Sequence, residues 1–193
     1  MLNISLFKTV GEISEKKVNQ IKNLGYDLEE FNNGEVANFT NKENGYYLVI
    51  GQNQITLAEG QFSKGNLSPS ELTRMFSDIL DTLLLDDGFH LNISLERSYP
   101  ADNTFDKAKG ILKGNDILFD GSLSVGYRVP FKKDLFHGEV RFEPFFNKPN
   151  RYYISVSVQS NEQLNTKDIE DVLIRMNSFI SDEVEGTAKR IFE

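Results

Sequence analysis

The chain has 193 residues, 39% of them hydrophobic and 26% charged, a composition that suits one soluble domain with a proper core. It contains no cysteine, which excludes disulfide frameworks, thiolate nucleophiles, iron–sulfur clusters and cysteine zinc sites. The net charge of −8 opposes phosphate backbones, and no apolar run nears the roughly 18 residues of a membrane span, so neither nucleic acid nor membrane is an expected partner.

The segment "LNISLFK" alternates Leu2, Ile4 and Leu6 with Asn3 and Ser5, the period of a half-buried strand. As part of the N-terminus "MLNISLFKTVGE" it lacks the basic and apolar regions of a signal peptide, which makes the cytoplasm the expected compartment. The N-x-S/T sequons at Asn3, Asn38, Asn66 and Asn92 then reflect an Asn-rich chain, a composition that leans towards a bacterial or phage source. A short helix is predicted over "SEKKVNQIKNLG", with Ser14 as N-cap, Val18, Ile21 and Leu24 as its stripe and Gly25 as its stop. "YDLEE" reads as a solvated acidic turn, "EVANFT" as a strand, and "GYYLVI" and "QITLAEG" as a hairpin across "GQN".

"LSPSELTRMFSDILDTLLLDDG" carries the strongest local signal. Ser68, Pro69 and Glu71 form a capping box, Leu72, Met75, Phe76, Ile79, Leu80 and Leu83 lie at helical spacing, and Gly88 ends the segment. "FHLNISLERS" is a second alternating strand, and one helical turn is expected after Asn103. "DILFDGSLSVGYRV", "LFHGEVRFEPFF" and "RYYISVSVQ" read as three more strands, the last two joined across "NKPN". A long helix closes the chain, capped by Asn165, its buried stripe running from Ile169 through Val172, Leu173, Met176, Phe179, Ile180, Val184 and Ala188 to Ile191, with Gly186 loosening the final turns.

The pentapeptide "LNISL" occurs at Leu2–Leu6 and again at Leu91–Leu95. The same shift carries Gly25 onto Gly114 and Asp27 onto Asp116. Further along, the shift grows by eight residues, so that Leu67, Ser68, Glu71 and Leu72 fall on Leu164, Asn165, Asp168 and Ile169. An insertion near "PFKKD" or "FNKPN" would reconcile the two. Both halves, 1–88 and 89–193, then read strand, helix, three strands, long capped helix. The expected fold is α+β: one compact domain over residues 1–193 with a mainly antiparallel sheet and two long capped helices packed on one face, built as two tandem pseudo-repeats. In element order alone this resembles the saddle of the TATA-binding-protein fold, a likeness that implies fold and not activity.

Two surfaces offer chemistry. His90 and Glu96 share one strand face, His137 and Glu139 another; were the strands neighbours, they would supply a metal-assisted or acid–base site, the reading of a small hydrolase or ligand binder. Neither stretch has a recognised ligand spacing, and no phosphate loop or nucleophile elbow occurs, so no catalytic residue, metal or cofactor is expected. The aromatic hairpin "FEPFFNKPNRYY" points elsewhere. Adjacent aromatics must face opposite sides of a strand, which leaves Phe145, Phe146, Arg151 and Tyr152 as the candidate contact for a protein partner. The expected function is that of a non-catalytic interaction protein, monomer or homodimer, acting as inhibitor, immunity or accessory factor.

Overall fold

The computed structural model describes residues 1–60, 67–86, 88–111 and 124–193. In chain order they form β1 (Leu2–Phe7), α1 (Glu15–Lys22), β2 (Asp27–Asn32), β3 (Val36–Asn41), β4 (Tyr46–Gly51), β5 (Gln54–Glu59) and α2 (Pro69–Thr82). Then follow β6 (His90–Pro100), α3 (Thr104–Gly110), β7 (Tyr127–Lys132), β8 (Phe136–Phe145), β9 (Lys148–Ser160), α4 (Asp168–Phe179), a π-helical turn (Ile180–Val184) and α5 (Glu185–Phe192). The protein is α+β: the described strands make one sheet of nine, ordered β2-β3-β4-β5-β1-β6-β9-β8-β7, with every described pairing antiparallel. Among the described residues no helix is long and apolar enough to cross a membrane.

The alternation seen in the sequence becomes the sheet's two faces. Ile4 and Leu6, Leu48 and Ile50, Ile55 and Leu57, Leu91 and Ile93, and Val156 and Val158 are buried, while the residues between them are not. Leu72, Phe76 and Ile79 of α2 and Ile169, Val172 and Met176 of α4 join them in one hydrophobic cluster, so the core lies on a single side of the sheet. Each such side chain contributes roughly 1.5–3 kcal/mol of transfer free energy. At the centre the two "LNISL" segments pair with each other: Leu2 opposite Leu95, Ile4 opposite Ile93, Leu6 opposite Leu91.

Several elements depart from the sequence expectation. "YDLEE" does not form a solvated turn; its residues open the edge strand β2, whose exposed carboxylates can reach water without leaving the ladder. The capping box of α2 is present, yet the helix ends at Thr82, well before Gly88. There Leu84, at φ 53°, takes the left-handed position, and Leu85 N–H reaches back to the Leu80 carbonyl. Asn165 is not the N-cap of α4: Lys167 holds that place without a side-chain bond, and the Asp168 carboxylate accepts the Asn165 N–H.

The closing helix is not continuous either. The π turn inserts one residue, which moves the buried stripe onto Phe192 and leaves Ile191 only half-buried. The β8–β9 turn is Phe146–Asn147, one residue earlier than "NKPN" suggests. Of "DILFDGSLSVGYRV", the strand begins at Tyr127; Gly114, Asp116 and the rest of 112–123 lie outside the described residues.

Candidate protein-contact site

β6, β8 and β9 are the longest of the described strands, and together they carry the sheet past its neighbours. Beyond the Arg141–Ser155 pair, β8 and β9 continue to a bulge between Pro144 and Phe145 and then the two-residue turn. β6 extends alongside as far as Pro100, opposite Arg151. The helical side of this wing is firmly held. Tyr152 stacks on Tyr99 (centroids 5.5 Å apart) and on Phe192 (4.4 Å), and Glu185 of α5 accepts hydrogen bonds from Arg97 (3.0 Å) and the Tyr99 hydroxyl (2.7 Å). Buried Thr104 of α3 donates to the Pro149 carbonyl at 2.7 Å.

The other side of the wing faces away from the helices. Phe145 and Tyr153 lie half-buried with ring centroids 5.4 Å apart, and the Tyr153 hydroxyl donates to the Glu143 carboxylate. Burial first, and then that hydrogen bond, push the Tyr153 phenol up to about 12. Arg151 donates to the Ser98 hydroxyl at 2.8 Å and to its carbonyl at 3.1 Å, which orients the guanidinium along the wing. Phe146, at the turn, is 73% exposed, and burying its ring against a partner would remove a large apolar area from water.

Of the four residues expected at a partner contact, Phe146 is exposed at the end of the wing, and Phe145 and Arg151 are half-buried on its outer side. Tyr152 does not: it is 2% exposed and packs in the core. Its parity follows Ile154, Val156 and Val158, all buried, so Tyr153 is the aromatic on the outer face. That alternation was readable from the sequence and identifies the residue that the expectation missed.

The two histidine strands are not neighbours. β9 lies between β6 and β8, which separates His90 from His137 by two strand spacings, ~10 Å across the sheet. His137 Nδ1 is 2.9 Å from Asn161 Oδ1. Glu139 is held by Arg141 and by Arg128, whose hydrogen bonds keep its carboxyl below the usual range. Among the described residues no group of three or more His, Asp or Glu side chains converges as metal ligands would. No family model and no curated protein matches this sequence.

Proposed function

We propose that this chain is a non-catalytic cytoplasmic protein that works by binding another protein, as an inhibitor, immunity or accessory factor of a bacterium or phage, through the β8–β9 hairpin. The observation that carries the reading is Phe146, a large aromatic at the end of a hairpin braced on its inner side and open on its outer side. An exposed aromatic on a hairpin that also carries an arginine is the composition of a binding hot spot. A photocrosslinking amino acid placed at Phe146 is expected to capture a partner in cells of the source organism, while the same probe at Ile174, 48% exposed on α4, captures none. Equal capture at both positions would sink the proposal. Phe146→Ala is expected to abolish binding with stability changed by less than about 0.5 kcal/mol. Tyr152→Ala is expected to cost about 3–5 kcal/mol, read as a lowered urea midpoint.

We further infer that the halves 1–88 and 89–193 descend from one duplicated unit. The pairing of "LNISL" with its own copy supports this, since Ile4 and Ile93 face each other as residues on a twofold axis would. β5 flanks β1 as β9 flanks β6, and both pairings are antiparallel. β4 turns into β5 directly after the Gly51–Gln54 pair, whereas β8 and β9 run on past the Arg141–Ser155 pair to the turn at Phe146–Asn147. The aromatic hairpin is then the inserted segment, present in one half only, which accords with a role in contact instead of in the common core.

A further inference from the structure

The wing has no strand to lean on at either side. The Glu96 N–H donates to the Met1 carbonyl, and beyond it β6 has no described neighbour on its β1 side. Past the Tyr127–Phe142 pair, β8 likewise has no described strand on its β7 side. Residues 97–100 of β6, 143–145 of β8 and 148–153 of β9 therefore form a small three-stranded tab, free along both edges among the described residues. A tab of this size is marginal by itself and stays closed only if one face is packed.

That face is supplied by α3 and α5. The rings of Tyr99 of β6 and Tyr152 of β9 are stacked, and the buried Phe192 ring of α5 lies on Tyr152 at 4.4 Å and 15° from parallel. Glu185, at the start of the same helix, accepts from Arg97 and from the Tyr99 hydroxyl, so it holds both side chains that this stretch of β6 turns towards the helices. Thr104 of α3 donates to the Pro149 carbonyl, and α3 itself packs on α5. The position of Phe146, at the far end of the tab, is thus set by contacts on the opposite face of the sheet.

We propose that α5 pre-organises the contact hairpin, with Glu185 and Phe192 as the positioning residues. With α5 docked, the tab presents Phe146 in one place and a partner binds without the entropic cost of ordering it. With α5 lifted, residues 97–101 and 143–153 open as one unit while the central strands stay closed. The partner half of this proposal rests on the hairpin reading; the mechanical half does not.

The test is hydrogen exchange of the full chain, read on peptides covering 97–101 and 143–153 and, as internal reference, 2–7 and 90–95. The Ala101 N–H, which donates to the Asn150 carbonyl at 2.9 Å, lies within the first of these. Phe192→Leu, which removes the ring stack, and Glu185→Ala, which removes the acceptor, are each expected to speed exchange of the wing peptides about tenfold or more, with the reference peptides unchanged. Glu185→Gln keeps an acceptor oxygen and is expected to restore slow exchange. Phe39→Leu, the same change at a buried position of β3, is expected to leave the wing as it was. Unchanged wing exchange in both α5 variants, or equal acceleration in 2–7, would overturn the proposal. The second readout is photocrosslinking at position 146, expected to fall several-fold in Phe192→Leu. Undiminished capture from an opened wing would overturn the positioning role. Absence of capture in the otherwise unaltered chain would overturn the hairpin reading instead, and the exchange result would still decide whether α5 holds the wing.

Discussion

Leu84 shows how much one residue's conformation can cost. It sits in the left-handed region at φ 53° and is 85% exposed, so it has neither the freedom of glycine nor burial to offset the strain. Leu84→Gly is expected to raise stability by roughly 0.5–1 kcal/mol, the relief of the left-handed strain less the entropy that glycine adds to the unfolded chain, seen as a higher thermal midpoint. A residue-scale effect on pH dependence comes from Tyr152 and Tyr153, both pushed up to about 12, in each case first by burial. Raised phenol values mean that the folded state holds its protons longer than the unfolded one. The stability they confer is complete below pH ~10 and is lost as the pH rises towards 12. Urea midpoints are therefore expected to fall across that window, and less steeply in Tyr153→Phe.

Elements were legible where a local signal was strong. The capping box at Ser68 and the alternation in "LNISL" both led to the observed helix and strands, because capping and period-2 burial depend on neighbours close in sequence. β2 was not legible: its pattern of exposure is that of an edge strand, whose pairing with β3 carries little hydrophobic signature. The π turn was also missed, since an inserted residue is visible only as a stripe that jumps from Val184 and Ala188 to Phe192. It makes a clear prediction. Deleting Asp182, which is exposed, should convert the π turn into ordinary helix and keep Val184, Ala188 and Phe192 on the buried face, with little change in thermal midpoint. Deleting Asp182 and Glu183 together should turn Phe192 away from Tyr152 and cost more than about 3 kcal/mol.

For the whole molecule, the decisive feature is the central β1–β6 pair. Each half contributes one strand to it, and the core is a single cluster running from Ile4 to Phe192. If the halves share an origin, residues 1–88 made alone would expose the β1 edge and bury it by pairing with a second copy about Ile4. The expected result is a homodimer by light scattering; a folded monomer would count against the duplication. The candidate contact site was half legible at this scale. The sequence located the aromatic hairpin, and the alternation of Ile154, Val156 and Val158 with polar residues already placed Tyr152 inwards and Tyr153 outwards, but whether the histidines met depended on β9.

By itself the sequence determined the α+β class, the central strands, α2 with its cap, and the exclusion of cysteine chemistry, because composition, period and capping are properties of contiguous residues. Strand order, the pairing of the two identical pentapeptides, the separation of His90 from His137 and the exposure of Phe146 were decided by tertiary structure alone. Each of these depends on contacts between residues distant in the chain, which the pattern of any one segment does not encode.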